Sequence, residues 1–309
     1  GRACFHLAEF TSLWTKPLGY ARERNREGFL AALNAGDLQY AGYLSIYDAA
    51  YPAYQERSLE QVLPAVDESL SFNRKTQNIL GADTILAFKM AFSCMSGKTA
   101  GDQNFDLEEI SEAEYLSTCL SYGNVLAVCI FNIVKGWTLC LHGHPKEALA
   151  ALKESEQFLQ FIGGMLFTAE HNFYSSMSLA ALCAETSGVQ QAEFLEKIKT
   201  NQEKLKTLAD SCPENWRHKY LLVEAELAAI NDDFLRAVEL FQESVALARA
   251  QDFLSVEALA NERLARHWMR KDAFHYAGLH FREAMSGYER WGAKHKIDQL
   301  ERELTRLGL

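Results

Sequence analysis

Polar side chains that could bind a ligand are concentrated in two stretches of the sequence. Around His171, Ser175 and Ser178 the pattern predicts a helix that carries all three on one face, since they are four and three residues apart. That helix is otherwise apolar, and buried polar groups need hydrogen-bond partners. They either satisfy one another across the helices or line a groove for a ligand or peptide. The candidate groove residues are His171, Asn172, Tyr174, Ser175, Ser178, Asn201, Asn215, Trp216, His218 and Lys219.

The segment Ser96-Gly97-Lys98-Thr99 resembles the end of a phosphate-binding loop. The complete motif requires glycine at position 92, where this chain has Phe92, and a β-strand before the loop. An apolar helix is predicted there instead. Gly97 is therefore interpreted as the residue that ends this helix.

Two patterns could in principle bind a metal ion. Asn231-Asp232-Asp233 with Glu239 is similar to a magnesium motif of all-α terpene synthases, but Leu235 replaces its Ser or Thr and no upstream Asp-rich cluster completes it. His142 and His144 lie in a predicted turn without Cys or carboxylate at ligand spacing. We interpret both as turns between helices, so that no metal and no cofactor is predicted.

One predicted helix carries a row of basic residues. They are Arg263, Arg266, Arg270 and Lys271. Glu262 and Asp272 flank them, which favours a solvated helix face over a nucleic-acid contact. The net charge of −10 also disfavours general binding to phosphate backbones. A nucleic-acid-binding solenoid remains only as an alternative.

The composition favours an all-α protein. The 309 residues are 48% hydrophobic and 23% charged, with only 5 prolines and 18 glycines to interrupt them. No apolar run approaches the ~20 residues that span a bilayer, and no secretory signal precedes the first helix. The seven cysteines are scattered, which indicates reduced thiols and a cytoplasmic location. Because the chain starts within a predicted helix, we expect it to be excised from a larger protein.

Helix pairs recur along the sequence. Three pairs of residues are 40 positions apart: Ala225 and Ala265, Ala237 and Ala277, and Phe241 and Phe281. A period of about 40 with two helices per unit indicates an α-solenoid. We expect one continuous right-handed array over 1–309, forming an elongated arch, with its best-defined repeats at 125–161, 214–249 and 253–290.

The repeat units resemble degenerate tetratricopeptide (TPR) repeats, in which a small residue, a short turn, an alanine and a large apolar residue follow in order. The matching positions are Gly136, Gly143, Ala148 and Leu152; Ala225, Asp232, Ala237 and Phe241; Ala265, Asp272, Ala277 and Phe281. The first-helix Trp and Tyr and the closing Pro of an ideal repeat are absent.

Four further segments resemble the helical region of large hybrid signalling proteins. They are Gly36 to Tyr43, Glu170 to Tyr174, Asn201 to Glu226, and Glu257 to Glu262 together with Arg290 to Lys294. Such proteins carry a serine/threonine kinase-like domain, a STAND-type (AAA-like) ATPase, this helical array, and often a GAF domain and a histidine kinase. No catalytic motif of those domains occurs in this chain.

The resemblance implies a non-catalytic regulatory scaffold, a sensor arm of a signal-transducing ATPase or kinase. Its expected partner is a neighbouring ATPase or kinase domain in cis, or a peptide or protein in trans, with no nucleic acid and no membrane. The alternative is an all-α enzyme acting on an isoprenoid-type small molecule, which requires an apolar cavity with facing carboxylates.

Overall fold

The computed structural model describes residues 1–55 and 57–308, and these residues are almost entirely helical. The α-helices are α1 (Arg2–Phe10), α2 (Leu18–Asn34), α3 (Leu38–Ala50), α4 (Leu59–Lys75), α5 (Ile79–Met95), α6 (Glu112–Ser121), α7 (Val125–Leu141), α8 (Pro145–Glu156), α9 (Leu166–Cys183), α10 (Gly188–Ser211), α11 (Pro213–Ile230), α12 (Phe234–Ala250), α13 (Leu254–Met269), α14 (Phe274–Trp291) and α15 (Lys294–Leu307). Short 3₁₀ helices occupy Ser12–Trp14, Tyr51–Ala53 and Leu159–Ile162. The described residues contain no strand, only an isolated bridge between Leu107 and Ile110. The all-α prediction is confirmed.

Many of the short turns between helices share one local design. A residue with positive φ ends one helix, and the next residue begins the following helix. Gly36, Gly123 and Asp232 take this left-handed position, with φ of 71°, 80° and 57°. Asp37, Asn124 and Asp233 follow them, and each side chain accepts a hydrogen bond from a backbone N–H of the next helix. Turns this short force consecutive helices to pack antiparallel.

Each helix packs on its sequence neighbour and, for many, on the helix two places further along. Close pairs include α7 with α8, α11 with α12 and α13 with α14, while α5, α7 and α9 contact in succession. Small residues permit the close approach. A Cβ atom added to Gly136 would lie 2.5 Å from Leu152 Cγ, and one on Gly287 would lie 2.8 Å from Ala258 Cβ. One apolar core runs from Ala8 to Leu304.

Contacts also join elements that lie far apart in the chain, in addition to those between neighbouring helices. Asn215 and Trp216 of α11 bind the backbone of Leu13 near the N-terminus. Near the C-terminus, α15 packs against α5, and its Gln299 donates a 2.8 Å hydrogen bond to the carbonyl of His142. The physical reason is a set of large rings in the interior. Trp137 stacks on both Tyr54 and Trp291, and so joins early, middle and late helices.

Two local features differ from what the sequence analysis predicted. The predicted second helix of the 125–161 repeat ends at Glu156 and is followed by the 3₁₀ turn Leu159–Ile162. Helix α15 was not predicted as an element, because only Leu300 and Leu304 of its apolar residues are buried and most of its sequence is polar.

Candidate functional site

Nine of the ten predicted groove residues are buried, and Asn172 alone is half-exposed. They do not form one cluster. Asn201 Nδ2 donates to Ser176 Oγ at 3.2 Å and to the carbonyl of Asn172 at 3.5 Å. Tyr174 lies in the interior and stacks on Trp137, and Ser175 is buried beside it in α9. These residues act within the core.

Asn215 and Trp216 hold the N-terminal turn in place. The Asn215 amide donates to the carbonyls of Leu13 at 3.0 Å and Lys16 at 2.9 Å, and its oxygen accepts from the N–H of Leu18 at 2.8 Å. Trp216 Nε1 donates to the same Leu13 carbonyl at 3.1 Å, and its ring stacks on Trp14. Every hydrogen-bonding group of these two side chains is therefore used by the fold.

Lys219 forms a fully buried ion pair with Glu170 of α9. The ammonium group lies within 6 Å of several ring centroids, including 5.4 Å from Phe173 and 5.6 Å from Trp216, and these rings provide a favourable electrostatic surface. Burial raises the pKa of Glu170 and lowers that of Lys219, while the attraction between the two charges opposes both shifts. Their neighbours leave almost no free space, so this pair is part of the core.

The two histidines among the predicted residues are buried bases. His171 shares a 3.1 Å hydrogen bond between Nε2 and the carbonyl of Leu152, and burial lowers its pKa. His218 has no hydrogen-bond partner on either ring nitrogen among the described residues. Its ring packs against Phe253 at a centroid distance of 4.3 Å, and burial holds its pKa well below the ordinary value. Both rings are neutral near pH 7.

Two predicted groove residues lie at sizeable cavities: Asn172 at an open surface cavity of about 530 Å³, and Ser178 at a deeper one. This cavity, the central cleft, has a volume of about 420 Å³ and lies between α7, α9, α13 and α15. Cys140, Met177 and Leu259 form its apolar side, and Arg270 stands at its edge. Ser178 itself is fully buried, and its hydroxyl interacts with the Cys140 thiol, so it does not present a free group to a bound molecule.

Glu262 organises the charged side of the central cleft. Its Oε1 accepts hydrogen bonds from Lys296 Nζ at 2.9 Å and from Arg266 at 2.9 and 3.1 Å. Its Oε2 accepts from the Tyr288 hydroxyl at 2.8 Å. Burial alone would raise the pKa of Glu262, but the cations of Lys296 and Arg266 lower it to about 2. The carboxylate is therefore ionised across the physiological range.

The basic row that the sequence suggested as a solvated face is mostly paired with carboxylates. Arg263 makes two parallel hydrogen bonds to Glu226, one of them 2.8 Å long. Arg266 makes contacts of 2.6 and 2.8 Å with Glu303 of α15 in addition to Glu262. Sequence reasoning missed Glu226, Lys296 and Glu303, which arrive from other helices. The only local signal was the spacing of four between Glu262 and Arg266.

The remaining motifs have structural positions. Gly97 follows the end of α5 with φ of 76°, and Phe92 is buried inside that helix, so the phosphate-loop geometry does not form. His142 Nδ1 lies 2.8 Å from the carbonyl of Thr138, whereas His144 Nε2 lies 3.1 Å from Asp102. Across residues 1–55 and 57–308, no group of three or more His, Cys, Asp or Glu side chains is arranged to hold a metal ion.

Comparison with known proteins adds no family assignment. The sequence matches no protein-family model and no curated protein. Within the described part of the chain, no helix has both the length and the apolar character needed to cross a bilayer.

Proposed function

We propose that the chain is a non-catalytic regulatory scaffold whose central cleft binds a protein segment. In this proposal residues 1–309 form a right-handed α-solenoid of degenerate TPR-like helix pairs. The scaffold is the sensor arm of a signal-transducing ATPase or kinase. Its partner is a neighbouring domain of the same polypeptide or a protein ligand supplied in trans.

The helix pairs support the solenoid part of this proposal. Helices α7 and α8, α11 and α12, and α13 and α14 coincide closely with the three best-defined repeats. The small residues that the repeat pattern requires, such as Ala225 and Ala265, are fully buried. Packing of α5, α7 and α9 on one another is what stacked helix pairs require.

The central cleft is the observation that carries the binding role. Its walls come from α7, α9 and α13, each the first helix of a pair, and such helices line the inner face of stacked repeats. Positive and negative groups are balanced there, which suits a peptide with mixed charges better than a phosphate backbone.

Two properties of the central cleft favour binding over catalysis. Burial raises the pKa of the Cys140 thiol to about 11, so it is protonated at neutral pH and is a poor nucleophile. The Glu262 carboxylate is held by Lys296, Arg266 and Tyr288, so it is a weak proton acceptor. A ligand that prefers one arrangement of the helices would instead shift the population of states of the attached domains.

Calorimetric titration of the chain with the ATPase and kinase domains of its parent polypeptide tests the proposal. Arg270→Glu, at the edge of the central cleft, is expected to weaken binding by tenfold or more through charge reversal. Arg282→Glu is the matched control, since Arg282 is exposed on α14 and does not line the cleft. Absence of binding by any domain, or equal affinities for the two variants, would contradict the proposal.

A further inference from the structure

A second cavity lies far along the chain from the central cleft and shares no residue with it. This α2–α4 pocket has a volume of about 340 Å³, within the range of small-molecule sites. It lies over α3, with α2 and α4 as its walls. The lining residues used below are Arg26, Phe29, Asp48, Pro52, Arg57 and Phe72.

The charged groups of the α2–α4 pocket face one another without touching. Asp48 is partly buried and makes no ion pair within 4 Å in the described chain, although the charges of Arg26, Arg22 and Arg57 act on it. Arg26 and Arg57 are exposed, and neither guanidinium makes an ion pair among residues 1–55 and 57–308. Elsewhere in this protein, partly buried charges such as Glu262 and Arg263 are closely paired. The two arginines can therefore bind an anion, and Asp48 can bind a cation.

Burial raises the pKa of Asp48, and the nearby arginines oppose that shift. A cationic group bound against the carboxylate would recover the solvation that Asp48 loses on burial. Asp48 and the exposed Glu68 would repel a phosphate dianion, whereas the three arginines of the same pocket would attract it, so inorganic phosphate is the competing ligand to test.

The rest of the α2–α4 pocket is apolar. Phe29 and Phe72 meet edge to face with their ring centroids 5.6 Å apart, and Pro52 contributes a further apolar surface. An apolar side chain of moderate size can pack against these rings.

We propose that the α2–α4 pocket binds a free α-amino acid with an apolar side chain. The ligand carboxylate lies against Arg26 and Arg57, its ammonium group lies against Asp48, and its side chain packs on Phe29 and Phe72. This site gives the protein a small-molecule effector in addition to any partner at the central cleft, and it does not depend on the function proposed for that cleft.

Isothermal titration of the full chain with L-phenylalanine tests this inference. Binding with a Kd of about 1 mM or tighter is expected. N-acetyl-L-phenylalanine lacks the ammonium charge and L-phenylalaninamide lacks the carboxylate, so each should bind at least tenfold more weakly. No heat of binding for L-phenylalanine or L-leucine at about 10 mM, equal binding of the acetylated analogue, or preferential binding of inorganic phosphate would each overturn the proposal.

Substitutions locate the site. Asp48→Asn and Arg57→Ala should each weaken L-phenylalanine binding at least tenfold, while Asp298→Asn and Arg282→Ala, away from the pocket, should leave it unchanged. Equal affinity of the pocket and control variants would overturn the assignment. The comparison of L-phenylalanine with its two analogues uses the unaltered chain, so it remains decisive even if a pocket variant fails to fold.

Discussion

Nε1 of Trp291 donates a 2.8 Å hydrogen bond to the backbone carbonyl of Ala53, which lies 238 residues earlier in the chain. The ring of Trp291 is fully buried and stacks on Trp137 at a centroid distance of 5.7 Å. The side chain of Trp291, at the end of α14, thus joins the core to the 3₁₀ turn that follows α3.

Replacing Trp291 with Phe is expected to destabilise the protein by about 1–3 kcal/mol, since the buried carbonyl of Ala53 loses its donor. Urea unfolding followed by circular dichroism measures the change. Trp268→Phe is the control, because Trp268 Nε1 has no hydrogen-bond partner in the described chain. Equal losses for the two variants would show that the hydrogen bond does not matter.

Removal of one member of the Lys219–Glu170 pair should be severe. Lys219→Met leaves a buried carboxylate without its counterion, and a loss of about 3–5 kcal/mol is expected. The double variant Lys219→Met/Glu170→Leu removes both charges and should recover most of that loss. Thermal and urea unfolding of the single and double variants measure this. A double variant no more stable than Lys219→Met would count against the ion pair as the cause.

Glu9 makes stability depend on pH. It is buried in α1 beside Tyr51 and Asn25, and burial raises its pKa from 4.5 to about 8. Between these values the folded state retains a proton that the unfolded state has released, so this group's contribution to stability falls as the pH rises from about 4.5 to 8.

Glu9→Gln should therefore be more stable than the unaltered protein at pH 8 by a few kcal/mol, with a smaller difference at pH 5, since a pKa unit corresponds to about 1.4 kcal/mol. Urea unfolding at both values measures the difference. Glu243→Gln, at an exposed position on α12, provides the control. An advantage for Glu9→Gln that is independent of pH would refute the titration argument.

The aspartates in left-handed turns offer a way to stabilise the chain. Asp252 has φ of 56° and makes no ion pair in the described chain. Glycine adopts this conformation without steric cost, so Asp252→Gly should raise stability by up to about 1 kcal/mol. Gly36→Ala, at φ of 71° with open space around it, should lower stability by about 1 kcal/mol. Melting temperatures that move in the same direction in both variants would contradict this reasoning.

Local sequence patterns were sufficient for most helices. The predicted repeat at 125–161 begins at the first residue of α7, whose apolar run lies between the cap residue Asn124 and the turn at Gly143. Helix α15 was not predicted, although Ile297, Leu300 and Leu304 follow helical spacing. Nothing in the sequence indicated that Lys296 of this helix is buried in an ion pair with Glu262 of α13, because partners far away in the chain leave no trace in the local pattern.

Distant partners also explain why the sequence suggested a binding role for residues that instead stabilise the fold. The sequence marked Asn215 and Trp216 as unusual polar or amphipathic positions within an apolar region, which they are. It could not indicate that their partners are backbone carbonyls some 200 residues earlier. Only Asn172 and Ser178 of the predicted residues lie at sizeable cavities, and the Ser178 side chain itself is fully buried.

Closure of the core between its two ends has a consequence for biosynthesis. The N-terminal turn emerges from the ribosome long before α11, and the carbonyl of Ala53 long before Trp291. The surfaces of the early helices that α11 and α14 cover therefore stay exposed until those helices have been made, a condition that slows folding and favours aggregation. Translation of this protein is therefore expected to rely on chaperones that shield its early helices.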